Sequence, residues 1–335
     1  MVVCFALLFM TRFALTAAEP QRSASFVLVI HGGAGVISKD QMTPAQEAEY
    51  RAALTTALQR GYGVLRTNGT SLNAVAAAIK VMEDSPLFNA GHGAVLNSAG
   101  EVELDAAMMD GTTRKAGAVA AVKHIRNPIE LARLVMDRSP HVMLVGEGAE
   151  AFAKEQGVAL VPQDYFITEH RKQQLERVQR EEESAPKPRS MRRTGRASEQ
   201  VGTVGAAALD AHGNLAAGTS TGGIVNKRPG RVGDSPLIGA GTYANNATCA
   251  VSATGHGEHF IRAVVAHDIS ALIAYKGLSL TEATDLVVKK ELVEFGGEGG
   301  VIAVDRKGNV AMPFNSQGMY RGSVREDGRI VVQIY

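Results

Sequence analysis

Apolar runs separated by polar, turn-forming segments divide the first half of the chain into strands and helices. The apolar run at 25–30 is typical of a buried strand. A helix is predicted to begin at Thr43, because Thr43 and Gln46 form a capping box and Pro44 suits the first turn. The same patterns predict strands at about 102–109, 116–122 and 141–145, and helices at about 43–65, 71–82, 127–136 and 147–155.

The second half of the chain combines short apolar runs with helical segments. Helices are predicted at about 258–275 and, after a cap at Ser279 with Glu282 three residues on, as far as about 293. The strands come in antiparallel groups, which differs from a strict alternation of strand and helix. This order predicts an α+β fold, an αββα four-layer sandwich in which two antiparallel sheets pack together with helices outside. The predicted strands are 204–209, 215–219, 236–242, 248–252, 300–304, 309–313 and 329–335.

Between positions 167 and 201 the apolar periodicity is lost. Residues 181–189 carry both signs of charge and few apolar side chains, which is typical of a flexible linker, although the first part of 167–201 is also compatible with a surface helix. Glutamates among the arginines, and the lack of aromatic residues for stacking, disfavour nucleic-acid binding here. We therefore predict a leader at 1–24, an α subunit at 25–202 that contains the linker, and a β subunit at 203–335, both subunits forming one domain.

The composition is that of a globular protein with a large core: 335 residues, 45% hydrophobic, 21% charged, with net charge +1. So small a net charge favours neither a nucleic acid nor a membrane as a partner. Cys4 and Cys249 are too few for a disulfide framework.

The apolar run at 2–10 is too short to cross a bilayer and resembles the core of a secretory signal, although no basic residue precedes it. A cytoplasmic and a periplasmic or secreted location therefore both stay open.

Thr203 stands where the polar linker ends and the apolar segment 204–209 begins. Cleavage before Thr203 would give one residue both a hydroxyl nucleophile and a free α-amine to act as its base. Gly202 has no Cβ, which leaves room for the Thr203 hydroxyl to attack the Gly202 carbonyl. From this motif alone, an ordinary strand threonine remains the alternative.

Two other motifs place hydroxyl and N–H groups where strands end. Thr219, Ser220 and Thr221 form either a turn with satisfied hydroxyls or, in a hairpin, a support for the Thr203 oxygen. The segment 252–258 leads from a strand into a helix, where exposed N–H groups suit an anion or an oxyanion. The plain alternative for 252–258 is the start of a helix without a binding role.

Arg231 and Asp234 place a cation and an anion three residues apart in a glycine-rich segment. They form either a local salt bridge or a binding pair for an amino acid, with Arg231 on its carboxylate and Asp234 on its ammonium group.

The glycine-rich motif at 31–35 lacks the GxGxxG pattern of a dinucleotide loop, and the histidines at 256–259 do not form HExxH. A catalytic transition metal is therefore disfavoured.

Taken in order along the chain, six motifs point to one family. The chain resembles the bacterial and plant-type isoaspartyl peptidases/L-asparaginases, threonine N-terminal-nucleophile hydrolases that mature by self-cleavage. The resemblance covers about 25–320. Its motifs are HGGAG at 31–35, PLFNAG at 86–91, GTVG at 202–205, TSTGG at 219–223, PGRVGDSP at 229–236 and TGHGE at 254–258.

The resemblance implies a role for each matching residue. Thr203 is the nucleophile and, through its amine, the base, and cleavage falls between Gly202 and Thr203. Thr221 supports the nucleophile. The implied substrate contacts are Arg231 and Asp234 for the aspartyl carboxylate and ammonium, Thr254 and Gly255 for the oxyanion, and Gly257 and Asn89 around the pocket.

The resemblance also implies a structural sodium ion and an assembly. Hard main-chain oxygens suit sodium. No cofactor is implied for catalysis, the substrate is a small molecule, and the mature enzyme is a heterotetramer of two α and two β subunits. The carbonyl groups implied for sodium belong to Met82, Glu83, Ser85, Phe88, Ala90 and His92.

The predicted activity is hydrolysis of the β-amide of isoaspartyl dipeptides and of L-asparagine. A glycosylasparaginase-like hydrolase and a non-catalytic amino-acid-binding protein are the alternatives. His256 departs from the family pattern, because relatives often carry a smaller residue there, and it would affect the leaving-group side.

Overall fold

The computed structural model describes residues 25–35, 37, 39–184 and 202–335. The predicted leader at 1–24 and the part of the predicted linker at 185–201 lie outside these residues. The described chain combines helices with an eight-stranded and a four-stranded sheet, in agreement with the predicted α+β class.

Antiparallel pairing dominates both sheets, and only the short pair at one edge of the larger sheet, β3 with β4, is parallel among the described strands. The larger sheet has the order β12-β11-β1-β5-β6-β2-β3-β4, and the smaller one β10-β9-β8-β7. The strands are β1 (Val27–Gly35), β2 (Leu104–Asp110), β3 (Ala116–Val122), β4 (Met143–Val145), β5 (Val204–Leu209), β6 (Leu215–Thr221), β7 (Thr242–Ala244), β8 (Cys249–Gly255), β9 (Gly299–Asp305), β10 (Val310–Ala311), β11 (Gly318–Arg325) and β12 (Ile330–Gln333).

Both predicted capping boxes are present, at Thr43 with Gln46 and at Ser279 with Glu282. A π-helical stretch, Leu286–Glu291, joins the last two helices. The helices are α1 (Pro44–Arg66), α2 (Ser71–Glu83), α3 (Pro128–Arg138), α4 (Gly146–Glu155), α5 (Glu169–Ser184), α6 (Gly257–Ala263), α7 (Val265–Lys276), α8 (Leu280–Asp285) and α9 (Leu292–Glu294).

Several predicted elements need correction. The surface helix that the sequence left open for the first part of 167–201 is present as α5, but this helix also buries Leu175 together with the polar residues Arg171 and Gln174. The predicted strand at 236–242 is wrong, because the N–H of Leu237 bonds the Asp234 carbonyl and starts a series of turns. Strand β11 was missed, since its glycines and arginines interrupt the apolar alternation.

The helix predicted at 258–275 is interrupted at Val264. This β-branched residue has φ 51° and ψ 43°, the left-handed conformation, and separates α6 from α7. Such a conformation is rare for valine. Nothing in the local sequence announces it, since the apolar pattern continues across the break.

Successive residues of β1 face opposite sides of the larger sheet. Leu28 and Ile30 belong to the core that this sheet forms with α1 and α2. Val27 and Val29 belong to a core shared with β8 and β9 of the smaller sheet. The smaller sheet also shares a core with α7 and α8. The carboxyl ends of β6 and β8 and the start of β5 meet where the two sheets pack, which brings distant motifs together.

Within the described ranges, every helix is too short or too polar to cross a lipid bilayer.

Candidate active site

The strand register places Thr203, just before β5, beside Thr221 at the end of β6. The Thr203 hydroxyl donates to Oγ1 of Thr221 across 3.1 Å. The Thr221 hydroxyl donates to the carbonyl oxygen of Gly202 at 3.3 Å and accepts from the N–H of Gly223 at 2.9 Å. Both threonines are buried. The two hydroxyls and the Gly202–Thr203 peptide bond therefore form one hydrogen-bonded group.

Asn89 lies behind this group, in the loop that follows α2. Its side-chain amide donates to the carbonyl of Gly223 at 2.7 Å and accepts from the N–H of Val95 at 2.9 Å. A Cβ added to Gly202 would lie 3.0 Å from Cβ of Asn89. Asn89 therefore holds the turn next to Thr221 and leaves little room at position 202.

Strand β8 carries Thr254 and Gly255 to the end of β1, which also borders Thr203. The N–H of Ala34 donates to Oγ1 of Thr254 at 3.2 Å, which leaves the Thr254 hydroxyl proton free to be donated elsewhere. A Cβ added to Gly33 would lie 3.3 Å from the nitrogen of Thr203, so the end of β1 touches both Thr203 and Thr254. A hydroxyl and an adjacent main-chain N–H in this position can stabilise a developing oxyanion.

Arg231 and Asp234 lie in the loop between β6 and β7 and reach the first residue of α6, Gly257. Arg231 donates from Nε and Nη2 to the two carboxylate oxygens of Glu258, at 3.0 and 2.9 Å. A Cβ added to Gly257 would lie 2.9 Å from Oδ1 of Asp234 and 3.0 Å from Nη2 of Arg231. The guanidinium and the Asp234 carboxyl therefore both border the space that glycine leaves open at position 257.

Asp234 is buried, and its Oδ2 lacks a hydrogen-bond partner among the described residues. Burial raises the pKa of this carboxyl to about 7, while a hydrogen bond from its own backbone and the nearby Arg231 oppose part of the shift. An ammonium ligand would supply both the missing donor and the compensating charge. Asp234 is therefore suited to bind an amino group.

A small pocket opens beside Gly255, on the side of the chain formed by Ala34 and Gly35. His256 and Glu298 also line it, and the N–H of His256 donates to the Glu298 carbonyl at 3.0 Å. The position of His256 in this lining makes it a neighbour of the candidate oxyanion residue.

His31 and Glu83 are buried titratable residues near this site whose side chains had no role in the sequence analysis. His31 contacts Thr203 and Ser252 directly, and burial lowers its pKa to about 3. Glu83 accepts from the Ser220 hydroxyl at 2.6 Å, and burial raises its pKa to about 8. The location of His31 within a buried strand was the available signal, but its partners are distant in sequence.

In the loop that follows α2, several main-chain carbonyl oxygens lie close to Gly91 and Gly93. A Cβ added to Gly93 would lie 2.3 Å from the carbonyl oxygen of Phe88 and 2.6 Å from that of Pro86. A Cβ added to Gly91, where φ is 52°, would lie 2.3 Å from the carbonyl oxygen of Glu83. In the described part of the chain, His, Cys, Asp and Glu side chains form no group of three or more that could hold a metal. Any cation here would depend on carbonyl oxygens.

The mixed fold and these hydroxyl, N–H and charged groups agree with the class that the sequence comparisons show, a hydrolase. The sequence model of the family described as Asparaginase matches residues 24–334, and the chain belongs to that family. The resemblance inferred from the six motifs is thereby confirmed.

Relatives from bacteria and animals agree with this assignment. The isoaspartyl peptidase of Salmonella typhimurium is 54% identical over 298 residues, which cover 88% of this chain and 94% of the relative. The isoaspartyl peptidase of Escherichia coli is 53% identical, over 88% of this chain and 91% of the relative. The isoaspartyl peptidase/L-asparaginase of Homo sapiens is 44% identical, over 91% and 94%.

Proposed function

We propose that this enzyme hydrolyses the β-amide of isoaspartyl dipeptides and of L-asparagine after cutting its own chain between Gly202 and Thr203. The observation that carries the proposal is the position of Thr221. Its hydroxyl accepts from the Thr203 hydroxyl and donates to the Gly202 carbonyl, so it orients the nucleophile and polarises the bond to be cut. The printed activities of the relatives support the substrate class.

Maturation begins when Oγ1 of Thr203 attacks the carbonyl carbon of Gly202. The acyl group moves from the Thr203 nitrogen to its oxygen, which forms an ester and frees the amine. Water then cleaves this ester. The resulting residue carries a hydroxyl and an α-amine, the pair that an N-terminal nucleophile requires.

Substrate turnover repeats this chemistry on an external amide. Arg231 binds the aspartyl carboxylate, and Asp234 binds the ammonium group. The Thr203 hydroxyl attacks the β-carbonyl carbon while its proton passes to the α-amine, and the oxyanion accepts hydrogen bonds from Thr254 and Gly255. The amine returns the proton to the leaving nitrogen as the C–N bond breaks. Water then releases aspartate from the Thr203 ester.

We further infer an αββα sandwich in which residues 25–202 and 203–335 remain one domain after cleavage, and a heterotetramer of two α and two β units. The shared cores between the sheets and the helices support the layered arrangement. The crowded oxygens around Gly91 and Gly93 fit a structural sodium ion. In this proposal the ion is bound by the carbonyls of Met82, Glu83, Ser85, Phe88, Ala90 and His92.

The intact mass of the purified protein tests self-cleavage. Wild-type protein should give two chains that divide at the Gly202–Thr203 bond, and Thr203→Ala should remain one chain. A Thr203→Ala protein that still divides there would refute the role of this hydroxyl.

Activity assays then test the substrate class. β-Aspartyl-leucine and L-asparagine should release aspartate. Preference for N-acetylglucosaminyl-asparagine would instead favour the glycosylasparaginase alternative, and an uncut chain that binds aspartate without turnover would favour a binding protein.

A further inference from the structure

His31 connects the strand of the nucleophile to the strand of the candidate oxyanion hole. It lies on β1 in the larger sheet and is completely buried. Its Nδ1 lies 2.8 Å from the carbonyl oxygen of Thr203, and its Nε2 lies 2.9 Å from Oγ of Ser252. Ser252 is on β8 in the smaller sheet, two residues before Thr254. The imidazole therefore spans the space between the two sheets at the site itself.

The partners of the ring determine its tautomer. A carbonyl oxygen only accepts, so the bond to Thr203 places a proton on Nδ1. Burial lowers the pKa of His31 to about 3, so the ring is neutral at neutral pH and Nε2 accepts from the Ser252 hydroxyl. Ser252 Oγ lies 2.7 Å from Oγ1 of Thr219, which accepts from the Thr242 hydroxyl at 2.6 Å. Both nitrogens thus have fixed partners with defined donor and acceptor roles.

Only glycine fits at position 205, because any side chain there would clash with the His31 ring and its partner Ser252. A Cβ added to Gly205 would lie 2.0 Å from Oγ of Ser252 and 2.3 Å from Nε2 of His31. Gly205 pairs with His31 across the β1–β5 ladder. The glycine two residues after Thr203 therefore makes room for the link between the sheets.

We infer that His31 is a positioning residue: its imidazole fixes the main chain of Thr203 relative to the strand that carries Thr254 and Gly255. Nδ1 holds the carbonyl of the nucleophilic residue, and Ser252 holds the ring from the opposite sheet. The neutral His31 ring then helps to set the distance between the Thr203 oxygen and the oxyanion donors Thr254 and Gly255. This inference rests on the proposed role of Thr203, because it assigns the support of that nucleophile.

Displacement of a reacting group by about 1 Å can lower a rate about 100-fold. No described hydrogen bond joins His31 to Arg231 or Asp234. Loss of the ring should therefore lower kcat while KM for the aspartyl substrate changes little. If His31 only stabilised the fold, its loss would lower the amount of active enzyme, but the kcat of each active molecule would stay the same.

Two amide substitutions test the two hydrogen bonds of the ring separately. In His31→Asn, the amide nitrogen can occupy the place of Nδ1 and keep the bond to Thr203. In His31→Gln, the amide reaches the place of Nε2 and the bond to Thr203 is lost. We expect His31→Gln to lower kcat at least tenfold at nearly constant KM, and His31→Asn to retain several times more kcat than His31→Gln. Active-site titration would normalise kcat to the matured fraction.

Ser252→Ala supplies a milder variant that keeps the histidine and its bond to Thr203. It should lower kcat less than His31→Gln, again at constant KM. If the histidine variants fold but mature slowly, their rates of self-cleavage should follow the same order, since the same hydroxyl attacks in both reactions. If they do not fold, Ser252→Ala with unchanged kcat overturns the inference.

A fully matured His31→Gln enzyme with wild-type kcat would also overturn it, as would parallel changes in kcat and KM in the two amide variants. Failure of the proposed function is a separate result, because it would appear as a wild-type protein that neither divides nor hydrolyses the substrates.

Discussion

The hydroxyl of Thr221 lies 3.1 Å from the hydroxyl of Thr203 and accepts a hydrogen bond from it. The same Thr221 hydroxyl donates to the carbonyl of Gly202, at 3.3 Å. One side chain thus contacts both the attacking group and the bond that self-cleavage would break. Because the two threonines lie at the ends of adjacent strands, this relationship is a direct result of the β5–β6 register.

Thr221→Val should slow both maturation and turnover. Valine keeps the shape of threonine but removes the group that orients Thr203 and polarises the Gly202 carbonyl. Loss of a preorganised hydrogen bond of this kind lowers rates by roughly 10²–10³-fold. The time course of chain division, followed by intact mass, gives the first rate, and aspartate release gives the second. Thr221→Ser, which keeps the hydroxyl, is the matched control. Wild-type rates in Thr221→Val would contradict this role.

Gly257→Ala should raise KM much more than it lowers kcat. The added Cβ would lie 2.9 Å from Oδ1 of Asp234 and 3.0 Å from Nη2 of Arg231, inside the space proposed for the substrate's amino-acid group. A loss of about 1.4 kcal/mol in binding corresponds to a tenfold higher Kd, and we expect roughly this effect on KM. Steady-state kinetics with β-aspartyl-leucine would measure it. Gly148→Ala is the control, since its Cβ would meet no atom within 4 Å. Equal KM values for both variants would disprove the placement.

Binding of L-aspartate should strengthen as pH rises through about 7. The pKa of Asp234 is raised to about 7 by burial, so this carboxyl is neutral below that pH and ionised above it. Only the ionised form pairs with an ammonium group. Calorimetric titration of the wild-type protein from pH 5.5 to 8.5 would measure the change without involving the chemical step. In Asp234→Asn the dependence should vanish and affinity should fall roughly 10–100-fold, as expected for a lost charged hydrogen bond. Asp137→Asn, at a half-exposed ion pair, should bind as the wild type does.

Glu83→Gln should change the pH dependence of stability. Burial raises the pKa of Glu83 from 4.5 to about 8 in the fold, so the folded state binds its proton more tightly than the unfolded state does. The stabilisation is complete below about pH 4.5 and is lost as pH rises through about 8. Glutamine cannot ionise, so the variant should lose less stability than the wild type across this range. Melting temperatures at pH 5, 6, 7 and 8 would show the difference. Glu101→Gln, at an exposed ion pair, should follow the wild-type curve, and a Glu83→Gln curve parallel to it would contradict the prediction.

Local chemistry made several elements predictable. The capping boxes at Thr43 and Ser279 stand where the helices begin, because a cap needs only residues three positions apart. The strand after Thr203 occupies the predicted 204–209. Strand β11 was not predictable in the same way, since it gains its stability by pairing with β1 and β12 in spite of a polar sequence. The sequence allowed a surface helix where α5 lies, but the burial of Leu175 against distant residues depends on the tertiary structure.

The order of motifs along the chain was sufficient to identify the family and to single out Thr203, because each motif is a short, local pattern. The tertiary structure alone decided which side chains surround Thr203. Contacts of His31 with Thr203 and Ser252 join residues 172 and 221 positions apart. Burial of Asp234, which sets its pKa, is also a product of the assembled fold. Sequence periodicity specifies which face of a strand is buried, whereas sheet register and packing between sheets determine which buried groups meet.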